Sequence, residues 1–256
     1  MSTAWLNWLS NVDLAVELAV IGRLIHNGLF RIYRFFFAYL AIDTAETILG
    51  RLVSFHSNLY AYIYLAGQSV KMAVAVFVVL EVYQVALEPH PALARFVRTS
   101  AGYILLAAAA IAVLGSALDR SVPPRRSAMI HHFNRFERTL DLWMLLLLGL
   151  IAIFITWFPV PLKRNAVLYV GGFMFYFLSR SGGLLMINLT PDLTRPLDAL
   201  ILAAAILCAL AWFVSLTREG EEITTVVGHR WHPAEAARLA GQLQAINNKL
   251  LRLNRR

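Results

Sequence analysis

Charge is scarce in this chain and cysteine is almost absent. Only 15% of its 256 residues are charged, 59% are hydrophobic, and mean hydropathy is +0.63. A soluble domain is about 45–50% apolar, so the excess is too large for one core surrounded by water. The single cysteine, Cys208, lies inside an apolar run. That excludes an intramolecular disulfide and a CxxC redox or zinc motif. HExxH, GxSxG, Walker and GxGxxG patterns are also missing from any suitable context, which removes the usual zinc-hydrolase, serine-hydrolase and nucleotide-binding readings. No cleavable signal peptide is expected, because the first ten residues lack Lys and Arg and the first apolar run contains Asp13, Glu17 and Arg23. Acid is scarcer than base, and the net charge is +8. In a soluble protein that balance suggests nucleic acid. With this composition it fits Arg at cytoplasmic helix ends facing anionic lipid, and no nucleic-acid partner is expected.

Long oily runs are present instead. The purest, Leu142–Leu162, reads LWMLLLLGLIAIFITWFPVPL and carries no charge between Asp141 and Lys163. At about 1.5 Å per residue its helical part can cross a hydrocarbon core of roughly 30 Å. Six weaker stretches resemble it. The expected fold is all-α: a polytopic membrane protein with seven transmembrane helices at about 12–30, 35–53, 60–80, 101–118, 142–158, 166–189 and 197–216, in a lipid bilayer. Pro89 and Pro91 should stop the third helix. Ala107–Ala110, Gly171-Gly172 and Gly182-Gly183 offer close helix approach.

Residues 217–256 form a polar tail. It contains a short β-like ITTVV and then a C-terminal amphipathic helix predicted at about 233–254. Leu239, Leu243, Ile246, Leu250 and Leu253 recur at spacings of four, three, four and three, an a/d seam of about two heptads. The seam suits docking on a membrane partner or homo-oligomerisation. Lying on lipid through Arg252, Arg255 and Arg256 is the alternative. The first span has no base before it and Arg31 and Arg34 after it, which places the amino terminus outside and the tail in the cytoplasm. The basic loop between Asp119 and Arg138 argues the other way.

Charged groups inside a membrane persist when they are paired or line a wet cavity. Asp43 and Glu46 on the second helix fall near the depth of Lys71 on the third, and a hairpin makes those helices neighbours. An intramembrane ion pair or triad of these three is expected, as a staple of hairpin register or a proton-binding site. Asp13, Glu17, Arg51, Arg138, Asp141 and Arg180 could line an outer polar pocket or satisfy one another, and Glu81 could meet Arg23 or His26 nearer the inner side. His26 and His56 differ in depth, which argues against a bis-His haem. His56, His131 and His132 share the outer side, but adjacent histidines do not share a helical face, so no metal site is expected. No cofactor is expected either.

Three stretches carry a resemblance: RFFFAYLA after the first basic pair, EVYQVALEPHPALARFVR around the third helix end, and the tail GHRWHPAEAARLAGQLQAINNKLLRLNRR. Over most of its length the chain resembles a group of bacterial seven-helix integral membrane proteins of no known activity. The resemblance implies seven helices and a bacterial cytoplasmic membrane, and carries nothing catalytic. The expected function is a non-enzymatic membrane receptor or scaffold. A proton-coupled carrier using the intramembrane carboxylates is the first alternative, and an intramembrane enzyme on lipid or quinone the second.

Overall fold

Where apolar runs leave the backbone no partner but itself, helix is the available solution. The computed structural model describes residues 3–52, 58–118, 127–190, 193–226 and 232–253. Its helices are α1 (Thr3–His26), α2 (Arg34–Leu52), α3 (Asn58–Ala86), α4 (Pro91–Leu118), α5 (Ser127–Trp157), α6 (Arg164–Leu189), α7 (Thr194–Ser215) and α8 (Pro233–Leu253). Consecutive helices pack side by side and α7 returns to α1, so the first seven close into a ring. Within it α3 is the most enclosed, touching α2, α4, α5 and α6. The bundle therefore has an N-terminal face, where α1 begins, and a C-terminal face, where α8 lies.

Three boundaries differ from those expected. Helix α4 starts at Pro91, not near residue 101. Proline needs no N–H donor at the first helical position, so it opens a helix as readily as it stops one. Helix α5 starts at Ser127, a turn ahead of HHFNRFERTL, the stretch that the sequence offers as a helical lead into the fifth span, and α1 reaches back to Thr3. The turn between α1 and α2 uses Gly28 at φ +70°, a conformation that a side chain resists.

The exterior is oily. Leu106, Ile153, Leu200 and Val214 are each more than 60% exposed, and many other large apolar side chains point outward. Soluble monomers rarely expose apolar surface on this scale. Five helical segments, Leu65–Ala86, Pro91–Ile111, Thr139–Trp157, Arg164–Ile187 and Pro196–Ser215, are long and apolar enough to cross a membrane. Inside the ring lies an aromatic column. Phe36, Phe173 and Trp212 contact one another at centroid distances of 4.7–5.4 Å, with Tyr33, Tyr169 and Phe177 fully buried beside them. Helices α6 and α7 approach closely because one glycine of each pair faces across: Gly172 lies under Trp212 and Gly183 under Ile201, while Gly171 and Gly182 meet nothing.

Helix ends in this bundle are capped by side chains from other helices. Asn247 of α8 accepts from the backbone N–H groups of Ala92 (3.0 Å) and Leu93 (3.2 Å), the free donors in the first turn of α4. Glu81 of α3 does the same for Phe35 (3.2 Å) and Phe36 (3.3 Å) at the start of α2. Arg23 of α1 donates to the carbonyls of Val214 and Leu216 at the end of α7, where the helix dipole favours a cation. The segment after α7 folds back as a two-stranded antiparallel sheet. Strand β2 (Thr224–Val226), within the β-like ITTVV, pairs with β1 (Pro161–Lys163). Gly220 fits beneath Asn165, which is fully buried and donates to the Thr217 carbonyl and to Glu221, each at 2.7 Å.

The tail seam is realised in altered form. Leu243 is buried against the core, Leu239 and Leu250 are partly covered, and Asn247 is buried beside them, whereas Ile246 is 49% exposed. Helix α8 thus turns a face of 239, 243, 247 and 250 toward α4, and the strict apolar seam is rotated away. The Leu253 side chain lies outside the described set. Replacing Asn247 by Ala should cost about 1 kcal/mol, the ordinary loss of a helix N-cap. In limited proteolysis, Asn247→Ala combined with Leu243→Asp should speed cleavage within α8, with the α1–α7 bundle left intact.

Candidate functional site

The second and third helices each bring charge to one level of the ring interior. Asp43 and Glu46 stand about one turn apart on α2 and face Lys71 on α3. The Lys71 ammonium donates to Asp43 Oδ1 at 2.9 Å and lies 3.5 Å from Glu46 Oε2. Glu46 lies over Gly67, where a Cβ would sit 3.0 Å from its carboxyl carbon. Helix α1 adds two more acids. Glu17 is buried and accepts from Thr44 Oγ1 at 3.1 Å, and Asp13, one turn earlier, is within electrostatic reach of both Asp43 and Lys71. Two carboxylates, Asp43 and Glu46, therefore meet the ammonium directly, and Glu17 and Asp13 crowd beside Asp43.

Beside this group is a second. Arg180 of α6 pairs with Glu137 of α5 through Nη2, lies 3.3 Å from Asp141 Oδ2 through Nε, and donates to Tyr176 Oη at 3.4 Å. Tyr176 in turn shares a 2.6 Å hydrogen bond with Tyr39 of α2. Tyr39 and Asp141 both feel the charge of Lys71, so the two groups are electrostatically continuous.

The polar set expected as a single outer pocket is thus distributed differently. Asp13 and Glu17 join Lys71, whereas Asp141 and Arg180 form their own pair with Glu137. Arg51 makes no direct bond to either group: it donates to the Ser10 carbonyl (2.9 Å) and hydroxyl (3.0 Å), tying α2 to α1 at an exposed position, and its charge still acts on Asp13. The Arg138, His131 and His132 side chains lie outside the described set, as does His56 altogether. Among the described residues no group of three His, Cys, Asp or Glu side chains is placed to hold a metal ion.

The expected contact of Glu81 with Arg23 or His26 does not form. Glu81 is occupied by the α2 N-terminus and by Tyr169, whose hydroxyl donates at 2.9 Å. Arg23 caps α7 and His26 is exposed. The physical reason is that peptide dipoles at helix ends satisfy each charge locally, and such partners leave no mark in the side-chain sequence. Near the C-terminal face, Tyr33 donates to Glu221 at 2.7 Å, and burial next to that carboxylate pushes its phenol up. Lys163 bridges Glu88 (2.7 Å) and Glu221 (3.8 Å), and the hydrogen bond to Glu88 pushes its ammonium up. The residues that sequence reasoning missed are Glu137, Asn165, Tyr39, Tyr176 and Asn247. A signal existed for Glu137, which precedes Asp141 by one turn.

Not every polar atom has a hydrogen-bond partner. Gln68 Oε1, one turn from Lys71, and Ser181 Oγ, adjacent to Arg180, are buried without one, as are His90 Nδ1 and Trp212 Nε1 elsewhere in the bundle. Leaving such atoms unpaired ordinarily costs about 1–3 kcal/mol each. Glu46 Oε2 and Asp141 Oδ2 make no hydrogen bond but face Lys71 and Arg180 as ion pairs. Between this tier and Glu81 stands the apolar contact of Phe36, Phe173 and Trp212. The arrangement brings together carboxyl groups that can exchange protons.

No family model matches the chain, and neither a curated protein nor a solved structure matches it.

Lys71→Met should strand Asp43 and Glu46, whose side chains are 23% and 12% exposed, without their cation. Breaking a fully buried pair from one side costs about 3–5 kcal/mol; a smaller loss is expected here, and it should show as a drop in the thermal midpoint in detergent. Adding Asp43→Asn to that variant should recover part of the loss. An unchanged midpoint in Lys71→Met would remove the pairing from the stability account.

Proposed function

We propose that this protein is a non-enzymatic polytopic membrane receptor that binds a proton in the carboxylate cluster beside Lys71. The observation that carries the reading is the crowding of acid in that cluster. Asp43 and Glu46 meet the Lys71 ammonium, buried Glu17 accepts from Thr44, and Asp13 stands one turn away, while Arg51 and Arg180 act on the group from farther off. In a medium of low dielectric such an excess of negative charge is balanced by protons.

The reading has seven spans, the amino terminus outside and α8 in the cytoplasm of a bacterium. Helices α1 and α2 complete the seven. At 24 and 19 residues, they extend about 36 and 28 Å, enough to traverse the bilayer with the other five. They are the least apolar because they carry the carboxylates, which face the ring. Protonation loosens the hold of Lys71 on α2, and α8, anchored on α4, presents the changed state to a partner through its exposed Ile246 and Leu251 side chains. A proton-coupled carrier is the second reading. It is favoured by the hydroxyl bridge Tyr39–Tyr176, which extends the polar tier toward the aromatic contact that separates it from Tyr169 and Glu81.

Infrared spectra of the protein in lipid nanodiscs, recorded across a pH titration, test the proposal. A carboxylic-acid C=O band should persist at neutral pH and should weaken in Glu17→Gln. Its absence, with every cluster carboxylate ionised, would overturn the proposal. In liposomes under an imposed pH gradient, the receptor reading expects no flux above empty vesicles. Flux abolished by Asp43→Asn would establish the carrier instead.

A further inference from the structure

Outside the ring, between α3 and α4, runs a groove that the receptor reading does not use. Its volume is about 950 Å³, and it is lined by α3 and α4 with Leu140 of α5. It is at the large end of the range for small-molecule sites, about 300–1,000 Å³. Its α4 wall is one helical face: Arg95, Arg98, Gly102, Leu105 or Leu106, and Ala109 recur at spacings of three and four. The α3 wall is mainly Phe77 and Leu80, with Gln84 lower down. Phe77, Tyr103 and Leu106 are 44–69% exposed on the side that faces the bilayer.

Two features give the groove a polarity. Both arginines sit at the end nearest the C-terminal face, and the remainder is apolar. The one acid at that end, Glu88, is already neutralised by Lys163 at 2.7 Å. Arg98 uses Nη1 on Gln84 at 2.9 Å, which orients its guanidinium along the groove and leaves its other donors free of that bond. From Arg98 to Ala109 the apolar part extends about 16 Å at ~1.5 Å per residue. That is close to one leaflet's half of a hydrocarbon core of roughly 30 Å.

We propose that this groove is a binding site for one anionic glycerophospholipid of the surrounding leaflet. Arg95 and Arg98 hold its phosphate, and an acyl chain lies along Phe77, Leu80 and Leu106. Charge complementarity selects an anionic headgroup over a zwitterionic one, and the length of the apolar wall selects a chain of one leaflet. The glycine at residue 102 keeps the middle of the slot open, since a Cβ there would meet nothing within 4 Å.

The test uses the full-length protein in nanodiscs of phosphatidylcholine and phosphatidylglycerol at equal amounts, released into detergent and weighed by native mass spectrometry. Two surface cations near an anionic lipid weigh about tenfold or more in binding. Phosphatidylglycerol adducts should therefore outnumber phosphatidylcholine adducts by about tenfold. Arg95→Gln with Arg98→Gln should abolish the preference while retaining the fold, because Arg95 is exposed and half-buried Arg98 loses one exposed hydrogen bond, to Gln84. Gly102→Leu should fill the slot and lower retention of both lipids. Equal adducts of the two lipids in the wild type, or an undiminished preference in the double arginine variant, would overturn the proposal. So would unaltered retention in Gly102→Leu.

Discussion

The ammonium of Lys71, held by Asp43 and approached by Glu46, is the interaction on which the interior depends. A cation at mid-helix costs several kilocalories per mole in hydrocarbon unless a counter-charge meets it. The ion pair of Lys71 with Asp43 and Glu46 supplies that counter-charge and fixes how α2 lies against α3. Once that register is set, α1 brings Glu17 and Asp13 to the same level, and Thr44 supplies the hydrogen bond that seats Glu17. Interior polarity and exterior oil are therefore one constraint seen from two sides.

The same logic organises the helix ends. Free N–H and C=O groups at helix termini are costly where water is thin. Glu81, Asn247 and Arg23 each close the end of a different helix from across the bundle. These caps connect elements that are distant in sequence: α3 to α2, α8 to α4, α1 to α7. They make α8 part of the folded body, continuous with α4 and with the groove beside it. The aromatic contact of Phe36, Phe173 and Trp212 then divides the interior into a tier near the N-terminal face and another near the C-terminal face.

Much of this could be read from residues alone, and the remainder has an identifiable cause. The meeting of Lys71 with Asp43 follows from matched depth across a short hairpin. Arg180 beside Asp141 follows from opposite charges on adjacent helices. Arg95 and Arg98 give Pro91–Ser100 the look of a loop, whereas they line one face of α4. Pairing charge with charge points Glu81 toward Arg23, whereas its partners are peptide N–H groups and the Tyr169 hydroxyl. A seam of apolar residues alone passes over Asn247 and turns Ile246 inward, whereas Asn247 is buried and Ile246 exposed. Closure of the ring by α7 against α1 has no local signature at all; it is a property of the whole chain.

The most direct measurement of the central claim is the Lys71 Nζ to Asp43 carboxyl distance, by solid-state NMR dipolar recoupling on selectively labelled protein in lipid bilayers. The account expects strong coupling, with the nitrogen about 3 Å from a carboxylate oxygen and the same result in bilayers at high salt. Absence of coupling would contradict it, since the two helices would then be held in register by something other than this charge.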